Sequence, residues 1–203
     1  FPKIDEVTKT PIPGLYELRI GTDILYSDEQ GNHLIEGSVI DTRTRANLTQ
    51  ARENKLTAID FASLPLKDAI VWKQGTGARR IAVFADPNCG YCKKFERDLQ
   101  QIKDITVYTF LIPILGGDSP EKSANIWCAK DKARTWLDWM LEGKAPPRSM
   151  GQCETPIARN LALSRKHKVN GTPAIVFEDG TRVPGALSAE QLEKQLLASR
   201  GKT

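Results

Sequence analysis

No stretch of this 203-residue chain approaches the roughly 18 to 20 consecutive apolar residues of a membrane-spanning helix, so no such span is predicted. The opening Phe1-Pro2-Lys3-Ile4-Asp5 lacks the apolar core of a signal peptide, and the sequence is expected to carry no export signal of its own. Histidine is scarce. His33 and His167 both lie far from the cysteines in sequence, and neither is expected to be catalytic. A nucleic-acid stripe is missing as well: Arg165-Lys166-His167-Lys168 has no interleaved aromatics and reads as a solvated helix end, so no nucleic-acid partner is expected. Cysteine is limited to four residues, of which only Cys89 and Cys92 are closely spaced. Structural zinc sites usually show two short spacings, so no metal is expected.

What is present is ordinary for a globular chain, with 40% hydrophobic and 27% charged residues. Charge is uneven: residues 1–60 hold 7 Lys and Arg against 10 Asp and Glu, although the whole chain is +4. That shift near residue 60 predicts a domain boundary. One close and one distant cysteine pair suggest a reactive disulfide and a structural one, and hence an oxidising compartment. Closing Cys128 to Cys153 would stabilise the fold by roughly 3 kcal/mol in the loop-entropy model.

The chemistry concentrates at Cys89-Gly90-Tyr91-Cys92, between the apolar run Arg80–Ala85 and a helical pattern from Lys93 to Ile102. A cysteine at a helix N-terminus has its thiolate stabilised by unpaired backbone N–H groups. A second cysteine one turn on can resolve a mixed disulfide formed by the first, so a strand, Cys-x-x-Cys and helix describe a thiol–disulfide exchange centre. Cys89 is expected to be the nucleophile in the more exposed position and Cys92 the deeper resolving thiol. Gly90 and Tyr91 are expected to tune redox poise. Asp86 is read either as a perturber of Cys89 or as a surface carboxylate, and Pro87 as a bend.

Residues 13–41 read as a small three-stranded antiparallel meander, its third strand running from His33 to Ile40. Such a sheet cannot hide both faces and its edges, so a partner, most simply an identical chain, is expected. Gly37 falls inside that strand, as a bulge, as a close approach by the partner, or without a role. Residues 46–75 read as helical and connecting, with Pro65 in a first turn and Gly75 and Gly77 at the end. The domains are therefore set at 1–60, a linker helix at 61–77, and 78–203. The triplet Asn47-Leu48-Thr49 is not taken as a glycosylation site. From Ala78 the pattern runs β-α-β, a helical insert at about 116–168, then a hairpin and a last helix opened by the capping box Ser188–Gln191. Ser119 and Thr155 are read as caps ahead of Pro120 and Pro156. Trp127, Trp136, Trp139 and Met140 are expected in the core, and Leu192, Leu196 and Leu197 on the buried side of the last helix.

The phrase Phe84-x-Asp86-Pro87-x-Cys89-Gly90-Tyr91-Cys92, the run Trp127–Lys132 and Gly171-Thr172-Pro173-Ala174 together resemble the DsbC/DsbG family of bacterial periplasmic disulfide isomerases, within the thioredoxin superfamily. The likeness spans nearly the whole chain and is weakest over residues 1–12 and the linker. It implies an α+β protein with a small cystatin-like dimerisation domain, a helical linker and a thioredoxin-like domain with a helical insertion. It implies that Thr172-Pro173 is a substrate-binding cis-proline loop and that Cys128 and Cys153 form a structural disulfide. It also implies a V-shaped periplasmic homodimer with an apolar cleft, acting on misoxidised or unfolded secreted proteins, with chaperone activity. The only cofactor implied is the redox-active Cys89–Cys92 pair, kept reduced by a membrane thiol reductase of the DsbD type. The rival readings are a DsbG-like reductase or oxidase of protein thiols, and a dimeric chaperone without isomerase activity.

Overall fold

The computed structural model describes residues 3–149 and 153–200. Phe1 and Pro2, residues 150–152 of the expected insert, and residues 201–203 lie outside it. Two compact units divide the chain at Ala58 and Ile59. Among the described residues no helix is long and apolar enough to cross a membrane.

In the first unit, β1 (Glu6–Lys9), β2 (Leu15–Ile20), β3 (Asp23–Asp28) and β4 (Leu34–Ile35) form an antiparallel sheet in that order. A short ladder, β5 (Ile40–Asp41) with β6 (Ala46–Asn47), leads into α1 (Leu48–Leu56). Asn47 caps that helix, accepting from the Gln50 N–H at 2.9 Å. The period-2 alternation of β2 sends Glu17 and Arg19 to one face and Tyr16, Leu18 and Ile20 to the other. On the first face Arg52 of α1 reaches Glu6 at 2.7 Å and Glu17 at 2.9 Å, while the buried Tyr26 hydroxyl pairs with Thr49. The second face is an open apolar groove of about 610 Å³ lined by Ile4, Val7, Leu18, Leu25 and Leu34 among others.

Two expectations change here. The meander has four strands, because Glu6–Lys9 pairs with β2 although its one apolar residue, Val7, gives almost no alternation to read. The strand expected from His33 to Ile40 shrinks to Leu34–Ile35, so Gly37 lies in a bend outside it. That placement removes the strand-bulge reading of Gly37, and a Cβ there would meet nothing of its own chain within 4 Å.

The second unit is built on β7 (Ile70–Gln74), β8 (Arg80–Ala85), β9 (Ile105–Leu111), β10 (Ala174–Phe177) and β11 (Arg182–Pro184), ordered β11-β10-β8-β9-β7. β8 and β9 are parallel and the other neighbours antiparallel. Between β8 and β9 runs α2 (Gly90–Leu99); α3 (Ser119–Trp127), α4 (Lys132–Glu142) and α5 (Ile157–Lys166) fill the insert, and α6 (Ala189–Arg200) closes the chain. Both sheet faces are covered, so β8 and β10 are apolar without alternation. Ile81, Val83 and Ile175 face Phe95, Leu99, Trp136, Met140 and Leu192, whereas Ala82, Phe84, Phe110 and Val176 face Ile59, Phe61, Leu64 and Val169.

That second layer corrects the linker. Residues 61–77 hold short 3₁₀ turns at Phe61–Ser63 and Leu66–Asp68 and then the edge strand β7, not a helix. Helical spacing of Leu66, Ala69, Ile70 and Lys73 is overridden because Phe61 packs edge-on against Tyr108 at 6.2 Å and the buried Asp68 takes a two-pronged bond from Arg159 of α5 at 2.8 and 2.9 Å. Gly75 sits in the β7–β8 turn at φ +65°, where a Cβ would come within 2.4 Å of the Lys103 carbonyl oxygen. The capping box forms reciprocally between Ser188 and Gln191. By contrast Ser119 is the first residue of its helix rather than the cap, Pro156 takes the cap position expected for Thr155, and Leu197 is 62% exposed.

Candidate active site

Strand β8 ends at Ala85, and the chain turns through residues 86–89 to start α2 with Cys89 as its cap. Apolar residues at helical spacing fix the orientation of α2. Cys92, Phe95, Glu96 and Leu99 are buried, and Lys94 and Arg97 lie outside. The Cys89 sulfur therefore sits where unpaired N–H groups point: it accepts from Cys92 N–H at 3.1 Å, and its thiol donates to the Thr172 carbonyl at 3.3 Å.

The two thiols separate in acidity. Cys89 is drawn down from 9.0 to about 6, first by the hydrogen bond from the Cys92 side chain, against burial, with help from the Thr172 side chain and the backbone N–H groups of Cys92 and Tyr91. Cys92 is pushed far up, first by burial and then by Cys89 beside it. Both are shielded, Cys89 at 4% and Cys92 at 2% exposed, and of the two only Cys89 reaches the groove wall. What distinguishes Cys89 is the set of donors around its sulfur and its place on the wall of a groove of about 660 Å³. Tyr91, Ile114, Leu115, Leu161 and Thr172 share that wall, and Tyr91 is 71% exposed. Gly90 lies exposed at the helix start with open space where a Cβ would be.

Thr172-Pro173 is a cis peptide bond directly preceding β10. Cys128 and Cys153 are joined by a disulfide on the insert. Among the described residues no group of three or more His, Cys, Asp or Glu side chains is arranged to hold a metal. His33 pairs with Asp28 in the first unit.

Asp86 differs most from its reading. It is wholly buried and accepts from the N–H of Asn88 at 2.8 Å, the N–H of Leu115 at 2.9 Å and the Ser119 hydroxyl at 2.8 Å. Trp139 Nε1 donates to the Pro87 carbonyl at 2.6 Å, and the ammonium groups of Lys93 and Lys122 lie 4.1 and 4.0 Å from the Trp139 ring centre. Lys122 also donates to the Asn88 side-chain oxygen at 2.6 Å. The active-site turn is thus clamped by helices of the insert, a function that sequence reasoning missed for Asn88, Ser119, Lys122 and Trp139. The one available signal is Ser119 ahead of Pro120, which by itself reads only as a helix cap.

The arrangement can perform one kind of chemistry directly. A thiolate at a groove wall attacks a disulfide sulfur in line, and a buried thiol one turn deeper can break the resulting mixed disulfide. Comparisons with known proteins agree. Residues 66–199 match the thioredoxin-like domain model, and residues 1–50 match the disulfide bond isomerase N-terminal domain model. A probable thiol:disulfide interchange protein DsbC of Bordetella pertussis is 48% identical over 95% of this chain and 68% of its own length. The thiol:disulfide interchange protein DsbC of Escherichia coli is 31% identical over 96% of this chain and 81% of its own length. A disulfide interchange protein from Neisseria gonorrhoeae superposes with a TM-score of 0.64 at 36% identity, covering 68% of this chain and 99% of that one. On both of its domains, the chain belongs to the DsbC family of thiol:disulfide interchange proteins and is an enzyme of thiol–disulfide exchange.

Proposed function

We propose that this protein isomerises wrong disulfides in exported proteins, with Cys89 as nucleophile and Cys92 as resolving thiol. The observation that carries the reading is the Cys89 sulfur at the start of α2, on the groove wall, its proton held loosely over a tightly protonated Cys92. The Cys89 thiolate attacks a substrate disulfide, forming a Cys89–substrate bond and releasing a substrate thiolate. That thiolate or another displaces a thiolate from a further substrate disulfide. A substrate thiolate then attacks the substrate sulfur of the mixed disulfide, so that a new substrate disulfide forms and Cys89 leaves as thiolate. No net electrons move. When the substrate stalls, Cys92 loses its proton and attacks Cys89, which frees the substrate reduced and leaves Cys89–Cys92 oxidised.

Restoring that oxidised pair needs a donor of two electrons, for which a membrane thiol reductase of the DsbD type is the partner. The Thr172 backbone, beside the Cys89 sulfur and ahead of β10, is suited to pair with an extended substrate chain. Gly90 and Tyr91, at the mouth of the site, set how well the thiolate is stabilised. A periplasmic homodimer with chaperone activity fits the apolar face of the N-terminal sheet, where Val7 is 57% and Leu34 43% exposed. The test is a trap. With Cys92→Ser, Cys89 attacks but cannot be resolved internally, so scrambled ribonuclease should accumulate as a covalent, reductant-sensitive adduct. Adduct formation that persists in Cys89→Ser and not in Cys92→Ser would reverse the roles.

A further inference from the structure

The basic cluster at the end of α5 reaches the groove of the reactive sulfur through Arg165. Arg165 lines the groove that holds Cys89, together with Val169, Asn170, Gly171 and Thr172. Those last four residues also line a smaller hollow of about 150 Å³, where Lys168 and Arg182 supply the charge. Neither hollow has an aspartate or glutamate on its wall. Arg165 and Lys168 are exposed and make no ion pair among the described residues, while Arg182 donates to the His167 carbonyl at 2.6 Å. Lys168 holds φ +52°, which fixes where the chain leaves the helix and enters the loop. Three cations thus border the loop that flanks Cys89, and among the described residues lining the two hollows there is no carboxylate. In a concave, partly apolar surface such a field draws in anionic groups and raises the rate of encounter.

We propose that Arg165, Lys168 and Arg182 form a specificity surface that favours extended substrate segments carrying aspartate or glutamate beside the disulfide under attack. The inference rests on the exchange reading of Cys89. It adds which substrates react fastest. A segment lying along residues 169–172 would have side chains alternating to either side, one toward Arg165 and the next toward Lys168 and Arg182.

The test uses the reduced full-length protein and disulfide-linked peptides of one length, with the residues flanking cysteine set to glutamate, glutamine or lysine. Each rate is divided by that of the same peptide with dithiothreitol, which removes intrinsic reactivity. Glutamate peptides should react about fivefold faster than lysine peptides at low salt, and the ratio should fall toward one at high ionic strength. The variant Arg165→Glu with Lys168→Asn, in which asparagine tolerates the left-handed backbone, should abolish or invert the ratio. Its Cys89 titration is measured alongside, and rates are compared per fraction of Cys89 thiolate, so that a change in the nucleophile cancels from the ratio between peptides. Equal normalised rates for all three peptides, or a ratio that the variant leaves intact, would overturn the charge preference while leaving exchange standing. No reaction with any peptide would overturn the exchange reading itself, and this inference with it.

Discussion

Cys89 and Cys92 sit one helical turn apart, yet one holds its proton loosely and the other tightly. The Cys89 sulfur is hydrogen-bonded by the Cys92 side chain and by N–H groups at the helix start, whereas burial outweighs every other influence on Cys92. The folded Cys89 thiol titrates at about 6 against its ordinary 9.0. Exchange by the reduced enzyme should therefore rise about tenfold per pH unit below 6 and flatten above neutrality, as stopped-flow rates against a model disulfide would record. The same shift is a stability statement. A depressed folded value contributes in full above the unfolded value near 9.0 and is lost as pH falls through about 6. The melting advantage of reduced over oxidised protein should accordingly shrink between pH 8 and pH 5. Glu96 has the opposite sign: burial pushes its carboxyl up to about 7, against the pull of the Trp136 and Trp72 indoles. Its neutral form suits the fold, so its contribution is full below 4.5 and lost as pH rises through about 7. Glu96→Gln should raise the melting temperature at pH 8 and change it little at pH 5. Asp86→Ala would leave three buried or half-buried donors, from Asn88, Leu115 and Ser119, without their acceptor. It should cost about 3 kcal/mol in urea unfolding.

At the level of elements, α2 and β8 were legible because their signals are local: a cysteine cap, apolar residues at helical spacing, and a continuous apolar run. So was the pairing of Ser188 with Gln191. The segment from Ile59 to Gln74 was not legible. Its helical spacing is real, but what fixes it lies far away in sequence, in Tyr108 and Arg159. For the same reason Asp86 could be noticed but not placed, since its partners come from residues 115 and 119. Phe61→Ala should destabilise the second unit by about 3 to 4 kcal/mol, because the ring covers one face of its sheet. A true linker residue would cost close to nothing. Leu192→Ala should likewise cost about 3 kcal/mol, and Leu197→Lys almost none, since the first is buried and the second exposed.

For the whole molecule, two units share the work. The second holds the complete thiol constellation, with Cys89, Cys92 and Thr172 within one fold, while the first contributes an apolar sheet face and no cysteine. Sedimentation at micromolar concentration should give a dimer, and removal of residues 1–58 a monomer. The measurement that reaches the central claim most directly is recovery of activity from scrambled ribonuclease in a mild thiol buffer, comparing the native protein with Cys89→Ser. Strong recovery by the native protein that disappears in the variant is the predicted result. Equal, weak recovery by both would contradict a Cys89-dependent isomerase.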